Sequence, residues 1–260
     1  MAHSSQLKTY LMPNSYFQFK EFTVYQERCV MKVTTDACLF GAWVAEDVKR
    51  VPGSYQEPNA KNVLDVGAGT GLLSLMFAQK NPSVIVDAIE IDGEAFQKAK
   101  ENVAISPYAD HIQVINGDAK TFSSSKKYDL VISNPPFYEK ELTSADHKKN
   151  IAHHDSGLLL EEIFSIIRTN LSTNGIFYLL LPFKRNEEIK KMLLREKLFI
   201  SKIVFIKQST KHDYFRMMIS GKLSNVTDSE TVIDEICIWD DQQQYTREFV
   251  ELLKDYYLKL

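Results

Sequence analysis

Residues 62–73 read NVLDVGAGTGLL: a short apolar run that contains an aspartate, three glycines at alternate positions, and the start of a second apolar run. The first run predicts a buried strand over residues 62–66, and the second predicts a helix over residues 72–79. Glycines between a strand and a helix let the backbone approach a bound molecule closely. Ligands of open α/β sheets bind outside the carboxyl ends of the strands, so this stretch predicts a ligand loop on such a sheet.

The rest of the chain repeats the alternation of strand and helix. Apolar segments predict six further strands, over residues 84–91, 112–116, 128–133, 176–181, 201–207 and 215–222. Helices are predicted over residues 93–105, 158–170 and 186–197. Strands that alternate with helices favour a sheet with both faces covered. We therefore expect an α/β, Rossmann-like fold with a mostly parallel, twisted sheet of seven strands.

The first 50 residues break this alternation. Residues 16–33 alternate apolar and polar side chains, which predicts a short β-hairpin. Asp36 is placed to cap a helix that runs through residues 39–44. Because no linker-like stretch divides the α/β pattern, we expect one domain overall, with residues 1–50 forming a hairpin and helix appendage packed on a core of residues 51–260.

The composition excludes several classes of protein. With 44% hydrophobic residues, the 260-residue chain is able to build an ordinary core, so disorder is not expected. Its longest apolar runs fall far short of the ~20 residues that cross a bilayer, and its first residues lack the pattern of a secretion signal. The three scattered cysteines lack metal-ligand spacing. We expect free thiols in a reducing cytoplasm, no membrane partner and no metal.

Charge is unevenly distributed, although the net charge is only −3. Residues 184–222 hold eleven Lys or Arg against four Asp or Glu, whereas residues 224–260 hold three against nine. A basic segment of this kind is a weak indication of an anionic partner. A solvated helix face beside an acidic tail explains the same numbers, so charge alone leaves both interpretations open.

Asp65 and Leu72 distinguish the glycine loop from a dinucleotide loop. A dinucleotide loop has the pattern G-x-G-x-x-G, and Leu72 stands where its third glycine is needed. The carboxylate of Asp65 repels a pyrophosphate but suits a ligand with an amino group and a sulfonium, a description that S-adenosylmethionine meets. Glu90, at the end of the second strand, is placed to accept ribose hydroxyls. Asp118, after the third strand, is placed to accept an adenine amino group.

Residues 132–138, ISNPPFY, end the predicted strand over 128–133 with a stiff corner. Prolines fix φ, and the residue before a proline is held extended. If Asn134 Oδ1 and the Pro135 carbonyl each accept an N–H of an aromatic amine, the amine lone pair is drawn out of the ring towards a methyl donor. Rigid acceptors need little reorganisation, and Phe137 is placed to stack on the base. Taken alone, Asn134 also suits an ordinary turn.

Together these motifs resemble the class I S-adenosylmethionine-dependent methyltransferases that modify a planar nitrogen. Their Asn/Asp/Ser-Pro-Pro-Tyr/Phe corner is represented here by Asn134, Pro135, Pro136 and Phe137. The resemblance implies the class I methyltransferase fold and S-adenosylmethionine as the cofactor. The corner is shared by enzymes that act on adenine N6 in DNA or RNA, on guanine N2 in RNA, or on a glutamine amide in protein. DNA enzymes usually carry a target-recognition domain, for which the residues after 222 leave no room.

Two further segments narrow the resemblance to the bacterial tRNA1(Val) adenine-N6 methyltransferase family. Residues 31–43, MKVTTDACLFGAW, are similar to the N-terminal signature of that family, and residues 245–258 are similar to its closing helix. The signature implies that Thr35 and Asp36 close over the methionine end of the cofactor, although Asp36 also suits a helix N-cap. The resemblance implies methyl transfer to an adenine N6 in tRNA, at A37 of tRNA1(Val). We expect the enzyme to act in the cytoplasm as a monomer.

Four alternatives compete with this interpretation. One is a cofactor-binding module without catalysis, against which the intact Asn134 counts. The glutamine-amide methyltransferases of release factors share the corner, but they typically have a helical N-terminal domain, whereas residues 16–33 predict strands. The guanine-N2 methyltransferases of ribosomal RNA share the corner as well. An oxidoreductase that binds NAD needs a glycine in place of Leu72 and has no use for the corner.

The predicted site residues follow from these assignments. The cofactor set is Thr35, Asp65, Gly67, Gly69, Gly71, Glu90, Asp92, Asp118, Ala119 and Asn134. The substrate set, on a loop over the substrate mouth and on the basic segment, is Tyr138, Lys140, Lys148, Lys149, His153, Lys184, Arg185 and Lys211. One departure is residues 152–155, AHHD, where the family tends to have Ala-Arg-His-Glu. A histidine that is neutral near pH 7 is a poor phosphate ligand.

Overall fold

The computed structural model describes residues 15–27, 29, 31–50, 61–136, 158–223 and 230–260. The strands in these residues are β1 (Tyr16–Gln18), β2 (Thr23–Tyr25), β3 (Lys61–Val66), β4 (Val84–Glu90), β5 (Ile112–Asn116), β6 (Tyr128–Ser133), β7 (Leu171–Pro182), β8 (Phe199–Ser209), β9 (Tyr214–Lys222) and β10 (Val232–Trp239). The helices are α1 (Thr35–Arg50), α2 (Leu72–Lys80), α3 (Gly93–Ala104), α4 (Leu160–Asn170), α5 (Asn186–Arg195) and α6 (Arg247–Leu253). A 3-10 turn over Phe183–Arg185 links β7 to α5.

The direction in which successive strands are added to the main sheet reverses at β3. Its strands lie in the order β10-β8-β9-β7-β6-β3-β4-β5. β3 pairs in parallel with β4 on one side and with β6 on the other, and among the described strands of this sheet β9 alone runs antiparallel to its neighbours. The predicted mostly parallel α/β fold is confirmed. Because parallel strands end at the same edge, the residues that follow β3, β4, β5 and β6 meet there.

The predicted number of seven strands is wrong, because the described residues already form eight strands in this sheet. The strand that sequence reasoning missed is β10, which pairs in parallel with β8 at the edge of the sheet. Its first four residues are exposed, so it lacks the apolar run of a central strand. Two of its acidic side chains form ion pairs with lysines of β8. Asp234 lies 2.9 Å from Lys202, and Glu235 lies 3.4 Å from Lys207. Charges on an edge strand also oppose pairing with another chain.

The two faces of the sheet pack against separate buried clusters. One face, which includes Val63 and Tyr178, packs with α1, α2 and α6. The other face, which includes Leu64 and Phe177, packs with α4 and α5. Each fully buried apolar side chain contributes about 1.5–3 kcal/mol, so the two clusters hold the strands and their ends in fixed positions.

The predicted N-terminal hairpin is present as β1 and β2, which pair antiparallel. Phe19 lies in the turn between β1 and β2 and is buried in the same cluster as α1 and α2. Asn102 of α3 bonds the hairpin to the glycine loop, because its Nδ2 donates to the carbonyls of Tyr25 and Thr70, each at 2.9 Å. Its Oδ1 accepts the N–H of Tyr25 at 2.9 Å. The boundary at residue 50 between appendage and core stays a prediction.

Candidate functional site

The loop between β3 and α2 has a backbone conformation that favours glycine. Gly67, Gly69 and Gly71 have φ values of 73°, 58° and 81°, a region that other residues enter rarely. A Cβ at Gly67 or Gly69 would meet no described atom within 4 Å, so the space above this part of the loop is open. A Cβ at Gly71 would lie 3.6 Å from the Cβ of Ala99, where α3 packs against the loop. The predicted helix after the loop is confirmed as α2.

Asp65 is a buried carboxylate with one oxygen that the described residues do not use. Its Oδ2 accepts the hydroxyl of Ser74, in α2, at 2.6 Å, whereas its Oδ1 has no hydrogen-bond partner among the described residues. Burial, aided by the charge of Glu90 and opposed by the hydrogen bonds of Ser74, raises the pKa of Asp65 from 3.8 to about 6. A buried polar atom without a partner costs ~1–3 kcal/mol, and a ligand that donates to Oδ1 removes this cost.

Glu90, the last residue of β4, holds the glycine loop from the side. Its Oε2 accepts the N–H of Gly69 at 2.7 Å, and its Oε1 accepts the N–H of Asp92 at 2.9 Å. The Glu90 side chain is buried. Each carboxylate oxygen has two lone pairs, so both oxygens keep the capacity to accept a ligand hydroxyl. Sequence reasoning placed Glu90 beside the ligand but missed its bond to the loop.

Asp92 and Asp118 make local hydrogen bonds at the ends of β4 and β5. Asp92 caps α3, because its Oδ1 accepts the N–H of Ala95 at 2.8 Å. Asp118 closes a turn, because its Oδ1 accepts the N–H of Lys120 at 2.9 Å, and the neighbouring Ala119 is buried. Contacts of Asp92, Asp118 and Ala119 with a cofactor stay predictions.

The Asn-Pro-Pro corner follows β6, the strand that lies beside β3. The register pairs Val66 with Ser133, so Gly67 and Asn134 are the next residues on the two strands. The hydroxyl of Ser133 donates to the carbonyl of Val66 at 2.8 Å and joins the two strand ends. Asn134 is half-buried and Pro135 is buried. The corner therefore lies at the same edge of the sheet as the glycine loop.

The start of α1 differs from its prediction. α1 begins at Thr35, which is exposed. The capping residue is Thr34, whose Oγ1 accepts the N–H of Ala37 at 3.4 Å. The prediction that Asp36 caps the helix is wrong, because the helix starts two residues earlier than such a cap requires and Asp36 lies inside its first turn.

Asp36 instead forms an ion pair with Arg216 of β9, with Oδ2 and Nε 3.0 Å apart. Arg216 is opposite Pro182, the last residue of β7, so the pair brings the start of α1 to the edge where the strands end. Sequence reasoning missed Arg216, because the two partners are 180 residues apart and neither stands in a motif that indicates the other.

Part of the positive charge of the basic segment over residues 184–222 is neutralised by neighbouring acidic side chains. Arg185 donates two hydrogen bonds to Glu188, at 2.7 and 2.8 Å, and Arg195 contacts Glu161 at 2.8 Å. Lys184 and Lys211 are exposed. Exposed ion pairs contribute about 0–1 kcal/mol each, so a polyanion can displace them at little cost.

Part of the predicted substrate set falls outside the described residues. These members are Tyr138, Lys140, Lys148, Lys149 and His153, and Phe137 of the predicted corner falls outside as well. The stacking role of Phe137, the loop over the substrate mouth and the effect of His153 on RNA contacts therefore stay predictions.

The described part of the chain holds all three cysteines of the sequence. Cys29, Cys38 and Cys237 are free thiols. None of the described His, Cys, Asp and Glu side chains form a group of three or more that could hold a metal ion. No helix in the described ranges is both long enough and apolar enough to cross a membrane.

Comparison with known protein families and sequences gives matches along nearly the whole chain. Residues 52–190 match the methyltransferase small domain. A tRNA1(Val) (adenine(37)-N6)-methyltransferase from Dyadobacter fermentans is 38% identical over 95% of this chain and 98% of its own length. Proteins of the same name from Christiangramia forsetii and Pseudoalteromonas translucida are 36% and 32% identical, and each is covered over 100% of its length.

Solved structures with low sequence identity share the fold. A predicted O-methyltransferase from Agrobacterium tumefaciens has a TM-score of 0.60 at 15% identity, over 84% of this chain and 95% of that protein. A magnesium protoporphyrin IX methyltransferase from Synechocystis, solved with bound S-adenosylmethionine, has a TM-score of 0.51 at 16% identity, over 73% of this chain and 80% of that protein. These likenesses support the class I methyltransferase fold.

Proposed function

The chain belongs to the tRNA1(Val) (adenine(37)-N6)-methyltransferase family, and from that premise we propose that it transfers a methyl group from S-adenosylmethionine to the exocyclic N6 of an adenine in tRNA. The target that its relatives' names indicate is A37 of tRNA1(Val). Since tRNA is a cytoplasmic molecule in bacteria, the proposed site of action is the cytoplasm. We also propose that the active form is a monomer, which light scattering of the purified protein would test.

The observation that carries the proposal is the unused oxygen of Asp65 beside an open glycine loop. Oδ1 of this buried carboxylate lacks a partner among the described residues, and the Cβ positions of Gly67 and Gly69 face open space. A cationic ligand with N–H donors matches the carboxylate, and a backbone without side chains lets a ligand approach it closely. S-adenosylmethionine fits both demands, whereas the pyrophosphate of NAD places negative charge next to Asp65.

The residues proposed to hold the cofactor lie on three neighbouring strand ends. Asp65 faces the methionine amino group, Glu90 accepts ribose hydroxyls and Asp118 accepts the adenine amino group. Thr35, at the start of α1, closes the methionine end in the family, and the Asp36–Arg216 pair fixes that helix start. When bound, S-adenosylmethionine supplies a methyl group that its sulfonium makes electrophilic.

The corner after β6 is proposed to prepare the adenine. The N6 amine is a weak nucleophile because its lone pair is delocalised into the ring. Asn134 Oδ1 and the Pro135 carbonyl each accept one N–H, which fixes the amine and directs its lone pair away from the ring plane. Both acceptors are held by a proline-stiffened backbone on a packed strand, so little reorganisation is needed. Phe137 stacks on the base, which must leave its own stack to reach the pocket.

The bonds and the proton balance without a strong base. A bond forms between N6 and the methyl carbon while the bond from that carbon to sulfur breaks, and the electron pair of the broken bond stays on sulfur as a thioether. The methylated nitrogen is then cationic and acidic, so it loses one proton to water. The role of the chain is to orient the amine and to place it near the donor, which contributes more than acid–base groups in such a site.

The tRNA is proposed to lie against the exposed lysine and arginine side chains after β7 and in the turn between β8 and β9. Lys184 and Arg185 lie in the 3-10 turn after β7, the strand beside the corner. Lys211 lies in the turn between β8 and β9, at the same edge of the sheet. Phosphate contacts of this kind make binding depend on salt. Five residues outside the described ranges are proposed as further contacts: Tyr138, Lys140, Lys148, Lys149 and His153.

The rivals that share the corner differ in the nucleoside or protein that becomes methylated. The first described elements form a β-hairpin, which does not favour the helical N-terminal domain typical of glutamine-amide methyltransferases. An rRNA guanine-N2 methyltransferase gives a different methylated nucleoside. The product therefore separates the alternatives more sharply than any structural detail.

The test is an in vitro reaction with two transcripts of tRNA1(Val), one with adenine and one with guanine at position 37, and labelled S-adenosylmethionine. Digestion and mass spectrometry should find N6-methyladenosine in the first transcript and no label in the second. Total ribosomal RNA and a release factor serve as rival substrates. N2-methylguanosine, or label in protein alone, rejects the proposal.

A further inference from the structure

We infer that Ser74 is a positioning residue, whose hydroxyl orients the Asp65 carboxylate for the cationic end of the cofactor, so that cofactor affinity follows the ionisation of Asp65. The inference rests on the proposed use of S-adenosylmethionine, and it concerns a residue of α2 that no sequence motif singled out. Ser74 does not need to contact the cofactor itself, since it acts through Asp65.

The geometry fixes the carboxylate in one orientation. Ser74 and Asp65 are both buried, at 1% and 0% exposure, and the Ser74 hydroxyl donates to Oδ2 at 2.6 Å. This length is typical of a hydrogen bond to an ionised oxygen. With Oδ2 occupied by a helix residue that is packed on all sides, Oδ1 is the oxygen left for a ligand, and it has no partner among the described residues.

The surroundings of Asp65 oppose its negative charge, apart from Ser74. β4 presents Ala88 opposite Asp65 and β6 presents Ile132, and neither side chain ionises. The ionisable group whose charge acts on Asp65 is Glu90, at the end of β4, and it disfavours the carboxylate. The charged form therefore depends on the hydrogen bonds from Ser74 and, once the cofactor is bound, on the cofactor's own cation.

This arrangement links cofactor affinity to pH. Burial and Glu90 raise the pKa of Asp65 to about 6, while the Ser74 hydroxyl lowers it. A cationic ligand binds the ionised form better, so its affinity rises with pH up to the pKa of Asp65 and is level above it. Removal of the Ser74 hydroxyl raises the pKa of Asp65 further, so the increase in cofactor affinity occurs at higher pH.

The test measures the dissociation constant of S-adenosylhomocysteine, which keeps the amino group, by calorimetry from about pH 5 to about pH 8. The proteins are the wild type, Ser74→Ala, Ser74→Thr and Asp65→Asn. The wild-type affinity should rise to a plateau with a midpoint near the pKa of Asp65. The midpoint of Ser74→Ala should be higher by about one pH unit or more, Ser74→Thr should behave as the wild type, and Asp65→Asn should show no such rise.

A second measurement covers the case in which a variant fails to fold or to bind. Carbon-13 NMR of labelled aspartates in the free wild-type protein, assigned with Asp65→Asn, reports the titration of Asp65 directly. A wild-type Asp65 that titrates at its ordinary value, or a folded Ser74→Ala protein with an unchanged midpoint, overturns the inference. If the wild type binds no S-adenosylhomocysteine at any pH, the proposed function fails, whereas an altered midpoint with intact binding bears on Ser74 alone.

Discussion

Glu90 accepts the N–H of Gly69 at 2.7 Å, across 21 positions of the sequence. Gly69 has a φ of 58°, so the carboxylate at the end of β4 holds the loop after β3 in a conformation that few residues adopt. The residue proposed to bind the ribose therefore also shapes the loop proposed to lie under the methionine. Changes at Glu90 should affect affinity and stability together.

Glu90→Gln should weaken S-adenosylhomocysteine binding about tenfold or more and lower the melting temperature. The amide offers one oxygen to two backbone N–H groups, so either Gly69 or Asp92 faces an N–H donor, and loss of one buried hydrogen bond to a charged group costs ~1.5–3 kcal/mol. Calorimetry and thermal unfolding measure the two effects. Glu94→Gln, an exposed position in the first turn of α3, is the matched control and should change neither by a comparable amount.

Asn134→Ala should keep the affinity for S-adenosylhomocysteine within about twofold and lower kcat by about 10²-fold or more, since a preorganised acceptor at the reacting atom is typically worth that factor. Single-turnover methylation of the tRNA transcript measures the rate, and calorimetry measures the affinity. Loss of cofactor binding in a folded variant would assign Asn134 to cofactor binding or to structure and contradict the proposed chemistry.

The stability of the free protein should fall, relative to Asp65→Asn, as the pH rises from about 4 to above about 6. Unfolded Asp65 has a pKa of 3.8, and burial raises the pKa in the fold to about 6. Between these values the folded protein binds more protons, so the free energy of unfolding decreases with pH, by roughly 3 kcal/mol in total. Urea unfolding of both proteins across this range isolates Asp65, and a difference that stays constant with pH would refute the assignment.

The Asp36–Arg216 pair should show a coupling of about 1 kcal/mol in a double-mutant cycle of Asp36→Ala and Arg216→Ala. Its side chains are 15% and 31% exposed, so the pair is screened less than a surface pair. Denaturant unfolding of the four proteins measures the coupling. The exposed pair of Lys49 and Glu46, at 3.4 Å, is the control, with an expected coupling below about 0.5 kcal/mol.

Lys184→Glu and Lys211→Glu should each raise the KM for tRNA several-fold and leave the affinity for S-adenosylhomocysteine unchanged. Loss of a phosphate contact lowers the slope of log K against log salt by about one. Filter binding at several salt concentrations measures this slope. Lys49→Glu is the control, because Lys49 lies about 20 Å along α1 from Thr35. Equal effects in all three variants would indicate general charge repulsion instead of a tRNA surface.

The central strands and the glycine loop could be predicted because their signals are local. The run over residues 62–73 holds a strand, a loop and a helix start in one stretch, and each has its own residue pattern. The corner at Asn134 is local in the same sense. The order of strands around β3 was accessible through the resemblance to a known family, since a sequence pattern alone does not say which strands are neighbours.

The parts that were missed depend on partners far away in the chain. β10 is defined by its pairing with β8, where two of its acidic residues meet lysines. Arg216 was missed because its partner Asp36 is 180 residues away. Ser74 looks like any polar residue in a helix until the fold places it 2.6 Å from Asp65. A buried acceptor without a partner is a property of packing, so no pattern in the sequence reveals it.

Asn102, with 0% exposure, connects the N-terminal hairpin to the glycine loop. Its amide donates one hydrogen bond to the carbonyl of Tyr25 and one to the carbonyl of Thr70. Removal of the hairpin would therefore leave a buried amide next to the loop without one of its partners. A shortened protein would thus retain every proposed contact residue and still bind its methyl donor more weakly, because the hairpin supports the glycine loop through Asn102.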